Sequence, residues 1–131
     1  MVLAADGRRD EALRFLTAAR YELSRNGAET FANDWRTASY DFVLATWLMT
    51  RKTGERAYAR QGLAVARGYQ RVTEYLGWPY AAEALLGDDP KARAIAACRA
   101  QWLDPGSMML RESGLHPDQK SAACRKAISW R

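Results

Sequence analysis

The 131-residue chain has the length of one domain and is 48% hydrophobic and 27% charged, which excludes a disordered or low-complexity chain and a fold that needs metal or disulfide staples. No uncharged apolar run reaches the ~18 residues of a membrane span, and the opening MVLAADGRRDEA lacks the apolar segment of a secretory signal. The net charge of +5, carried mostly by arginine, permits an acidic partner without requiring one, and a GC-rich genome would leave the same bias.

Alanine is abundant, β-branched residues are sparse and proline numbers only 4, so the composition favours helix. The first expected helix runs over 7–26. Asp6 caps it, Asp10 and Glu11 favour its first turn, and Asn26-Gly27 closes it. The second spans 30–53. Phe31, Trp35, Ala38, Phe42, Ala45 and Met49 alternate at helical spacing, and Val43, Leu44, Trp47 and Leu48 widen the stripe. A helix apolar most of the way round sits centrally against more than one neighbour. The third spans 55–76, with Tyr58, Gly62, Val65, Tyr69, Val72 and Leu76 on its inner face. Arg56, Arg60, Arg67 and Arg71 fall on the opposite side, with Glu74 placed to pair with Arg67 and Arg71. Two readings of that arginine side stand open: the solvated face of an amphipathic helix, or a docking surface for an acidic partner.

Gly77 and Trp78-Pro79 turn the chain into a short helix over 79–86, stopped by Gly87. Asp89-Pro90 restarts it, an N-cap acid with proline at the first helical position, for a helix over 90–103 that presents Ile95, Cys98 and Trp102 on one face. Asp104-Pro105-Gly106 is a turn. Ser107 caps a single turn through Leu110, Gly114 breaks it, and His116-Pro117 opens a last helix over 117–130 with Ala123, Cys124, Ala127 and Ile128 inward. No segment reads as a strand. The fold class expected is all-α: an antiparallel helical bundle, or a short stack of helical hairpins, of about five to seven helices in a single domain.

Three segments share a pattern of glycine, charged turn and small-residue helix: Gly7-Arg-Arg-Asp-Glu-Ala12-Leu, Gly54-Glu-Arg-Ala57-Tyr-Ala59 and Gly87-Asp-Asp-Pro-Lys-Ala92, the last continuing to Trp102-Leu103-Asp104-Pro105. The pattern resembles the second helix of tetratricopeptide repeats. The resemblance covers about half the chain. Its glycines lie 47 and 33 residues apart, and only the second spacing is near the family's ~34-residue period. The resemblance implies a stack of helical hairpins with a concave face for a peptide or protein segment.

Ala96-Ala97-Cys98-Arg99 and Ala122-Ala123-Cys124-Arg125 repeat the same four residues. Either Cys98 and Cys124 form a disulfide that pins the last helix, which implies an oxidising compartment such as a bacterial periplasm, or they are two buried thiols of a cytoplasmic protein. A zinc site built on Cys98, His116, Cys124 and Asp118 lacks any close-spaced ligand pair, so no metal is expected. His116, the single histidine, with Ser107 and Asp104 forms no nucleophile motif. Glu83 with Asp88 or Asp89 reads as helix ends rather than a hydrolytic acid pair. Gly62 and Gly68 lie within a helix, where they allow close packing rather than cradle phosphate, so no cofactor is expected.

The expectation is a non-enzymatic protein–protein interaction module of bacterial type that binds an acidic partner through an aromatic groove or the arginine side. An immunity or inhibitor protein is its concrete subtype. A basic nucleic-acid-binding module is the alternative, weakened because Tyr58 and Tyr69 face the core and no helix-turn-helix spacing is evident. A small hydrolase is the third class, and homodimerisation through the second helix is a further expectation.

Overall fold

The structure is a computed structural model, and it describes residues 33–73 and 75–129. The helix expected over 7–26, Phe31, Glu74 and the side chains of Trp35 and Ala38 lie outside the described residues. Six helices and no strands are present among those described: α1 Asn33–Thr53, α2 Arg56–Val72, α3 Trp78–Leu86, α4 Pro90–Leu103, α5 Met108–Ser113 and α6 Ala122–Ile128. The fold is all-α. The chain divides within α2 into two compact units, Met1–Val65 and Ala66–Arg131.

In the first unit, α1 buries Phe42, Val43, Leu44, Ala45 and Met49 and half-buries Trp47 and Leu48. Phe42, Ala45 and Met49 pack with Tyr58 of α2 into one cluster, bordered by Leu48 and Val65. Thr46 is fully buried, and its hydroxyl donates to the Val43 carbonyl at 2.7 Å, so no polar atom is stranded there. Gly54 ends α1 at φ 75°, the left-handed geometry that costs other residues about 1–2 kcal/mol.

In the second unit, α3 packs on α4 and α5, and α4 packs on α6. Both helices bury small side chains: Ala81, Ala82 and Ala84 on α3, Ala96, Ala97 and Ala100 on α4. Small residues let helix backbones approach closely, and burial of larger groups then falls to Tyr69, Tyr80, Leu86, Met109 and Leu110. Tyr69 and Trp78 join the end of α2 to the start of α3, with ring centroids 4.9 Å apart.

Local signals fix several boundaries. The Asp89 carboxylate accepts from the Lys91 and Ala92 amides at 3.3 Å each, capping α4. Ser107 accepts from Leu110 N at 3.3 Å. The helix it caps runs on beyond the expected single turn, through Ser113 to Gly114 at φ 73°.

Other expectations require correction. α2 stops at Val72 rather than 76, because Thr73 Oγ1 accepts from Tyr75 N and offers the backbone a turn in place of the next helical bond. Val72 consequently stands 52% exposed instead of inward. The last helix begins at Ala122, not 117. Asp118 Oδ1 accepts from Lys120 N at 2.9 Å, and the resulting turn places Ser121 as the cap, accepting from Cys124 N at 3.1 Å. Ala123 is exposed, while Cys124 and Ala127 are buried. Trp102 is 54% exposed, while Ala96, Ala97, Cys98 and Ala100 are the buried residues of α4. A Cβ on Gly68 would meet nothing within 4 Å, so that glycine serves no close packing.

Candidate interaction surface

The four arginines of α2 are all exposed, and α2 contains no Asp or Glu. Arg56 and Arg60 lie one turn apart in the first unit, and both have partners. Arg67 and Arg71 lie one turn apart in the second, and they differ. Arg67 reaches Glu83 of α3, its Nε 3.2 Å and its Nη2 3.1 Å from Oε2. Glu83 Oε1 accepts from Gln70 Nε2 at 3.0 Å, and the same amide also donates to the Pro79 carbonyl at 3.1 Å. The Glu83 side chain is 12% exposed and that of Arg67 48%. Glu83 is thus a nearly buried carboxylate with both oxygens satisfied from α2, and Arg67 is committed to it. Arg71 makes no hydrogen bond or ion pair among the described residues and stays open to solvent.

Glu83 was expected to mark a helix end beside Asp88 or Asp89. Its burial depends on Arg67, 16 residues earlier in the chain, and no local pattern announces that pairing. Ser107 is engaged as a helix cap. His116 borders a cavity of about 360 Å³ whose lining includes neither Ser107 nor Asp104. Among the described residues no group of three His, Cys, Asp or Glu side chains is placed to hold a metal.

Cys98 and Cys124 are joined as a disulfide with a Cα–Cα distance of 5.2 Å. Both sulfurs are therefore unavailable to zinc. The bridge is buried with Ala127, and Ile95 packs on it. Arg99 Nε donates to the Ala127 carbonyl at 3.0 Å, and Gln119 Nε2 to the Cys98 carbonyl at 3.0 Å. The last helix is held to α4 by the disulfide and the Arg99 bond, and the turn before it by the Gln119 bond.

The large apolar side chains that stand exposed among the described residues are Val72, Tyr75, Trp102 and Met108, at 52%, 76%, 54% and 40%. All four belong to the second unit, and they fall on two segments, 72–75 and 102–108. Gly77, two residues beyond the first segment, meets the second at the end of α4. A Cβ on Gly77 would lie 2.7 Å from Asp104 Cβ and 3.2 Å from both Asp104 N and Leu103 Cβ. Only glycine allows that approach. Ser107 N then donates to the Asp104 carbonyl at 3.1 Å, turning the chain so that Met108 follows directly. Val72 and Tyr75 lie five and two residues before Gly77, and Trp102 and Met108 lie two before and four after Asp104. Tryptophan, tyrosine and methionine are the residue types enriched where proteins meet.

No protein-family model, curated protein or solved structure matches the chain.

Proposed function

We propose that this chain is a non-enzymatic protein–protein interaction module that binds a partner with an acidic surface. Its contact surface is the corner formed by Val72, Tyr75, Trp102 and Met108, with Arg71 at its edge. The carrying observation is that every exposed large apolar side chain among the described residues lies within five residues of Gly77 or Asp104, whose backbones approach closely. A protein gains nothing in stability from leaving tryptophan, tyrosine and methionine in water at one place, and such patches mark interaction sites. The net charge of +5 favours an acidic partner by steering its approach. An immunity or inhibitor-type binder of another bacterial protein is the specific form of this reading. The Cys98–Cys124 bridge supports an oxidising compartment for it.

The test is affinity capture from the source cell with wild type and Trp102→Glu, at low and moderate salt, after matching their melting curves. The proposal expects a specific acidic protein to be held by wild type and lost with Trp102→Glu. Captured nucleic acid that dissociates steeply with salt would replace this reading with the basic nucleic-acid module. A wild-type dimer that Trp102→Glu dissociates would assign the corner to a second copy of the chain.

A further inference from the structure

We propose that the cavity between the end of α4 and the segment after α5 binds a carboxylate carried on a short apolar body. The cavity has a volume of about 360 Å³, at the low end of the roughly 300–1,000 Å³ of small-ligand sites. It is bordered by Gln101, Arg111 and His116, and no Asp or Glu lines it. Among the described residues the Gln101 amide and the His116 imidazole have no hydrogen-bond partner. Arg111 spends one nitrogen, with Nη1 donating to the Gly106 carbonyl at 2.9 Å. That bond fixes the guanidinium at the rim and leaves Nε and Nη2 for a ligand.

Three polar groups with unused donors thus line one concavity, and a guanidinium fork matches a carboxylate in plane and spacing. The rest of the lining is apolar: Leu110 and Leu115 with the rings of Pro105 and Pro117. An inorganic anion would leave those walls unused, whereas an aliphatic or aromatic acid would cover them. The carboxylate has two sources, a free organic acid or the terminal carboxylate of a peptide chain. The site stands whether or not the neighbouring corner binds a protein.

The experiment titrates the oxidised full chain while following the His116 ring by NMR. The probes are benzoate, benzamide, inorganic phosphate, and a short peptide ending in phenylalanine as acid and as amide. Saturable binding of benzoate or of the peptide acid is expected, with the uncharged counterpart weaker by about tenfold or more and Arg111→Met weakening the acid by a similar factor. Binding of benzoate points to a free acid as source, and binding of the peptide acid alone points to a chain terminus. The proposal is overturned if neither acid binds, if benzamide matches benzoate, or if phosphate binds as well as either acid. It is equally overturned if Arg111→Met leaves affinity unchanged. If that variant does not fold, Gln101→Leu takes its place, with a severalfold loss expected and no loss contradicting the site.

Discussion

Arg67 and Glu83 face each other from successive helices, two guanidinium nitrogens 3.1–3.2 Å from a single carboxylate oxygen, and this pair separates Arg67 from the arginine one turn further along. The sequence places Arg67 and Arg71 on one side of one helix. The structure gives them different work: Arg67 neutralises an almost buried acid, and Arg71 stays in water.

That difference has a direct thermodynamic consequence. Arg67→Ala leaves the Glu83 carboxylate with only the Gln70 amide, and it should cost about 1–2 kcal/mol, between the values for exposed and fully buried pairs because Arg67 is half exposed. Arg71→Ala should stay within about 0.5 kcal/mol. Urea unfolding of both variants, with Glu83→Gln to complete a double-mutant cycle, checks this. Equal effects of the two arginine substitutions would remove the distinction.

The disulfide should matter most for the end of the chain. Closing the 26-residue separation between Cys98 and Cys124 contributes about 3.5 kcal/mol on the chain-entropy description. Cys98→Ala with Cys124→Ala should lose most of that and should raise amide exchange first in Ala122–Ile128, which keeps the Arg99–Ala127 bond to α4. Uniform exchange across the second unit would argue against a locally pinned helix. Alkylation of the unreduced native protein should add no mass, since both thiols are spent.

Gly77→Ala tests how the corner is assembled. Its new methyl would lie 2.7 Å from Asp104 Cβ, so the 73–77 segment and the Asp104 turn must move apart, at about 1–3 kcal/mol. Partner binding should fall with it. Gly54→Ala in the first unit is strained at φ 75°, yet it should leave binding intact once stability is matched. Loss of binding in both would mean that stability, not the corner, is what binding reads.

Much of the fold was legible where the signal is local. The apolar run from Phe42 to Met49 marked a buried helix, and Asp89-Pro90 and Ser107 marked helix starts through side-chain caps that act over three residues. The inward side of α4 was not legible. Ala96, Ala97 and Ala100 carry little hydropathy contrast, so Trp102 read as the natural continuation of Ile95 and Cys98, although it is the alanines that are buried. The start of α6 was obscured in the same way, because Pro117 looks like a helix start while the Asp118 side chain diverts the backbone into a turn. The candidate surface was the least legible feature. Its members come from segments about thirty residues apart, and the Gly77–Asp104 approach near them leaves no mark on either segment alone.

The central claim is that the corner around Trp102 meets another protein. The most direct measurement places a photo-crosslinking residue at position 102 in the source cell, and at Lys91, exposed at the other end of the same helix, as the control. The account predicts one acidic protein joined at 102 and absent at 91. The same adducts at both positions, or none at 102, would contradict it.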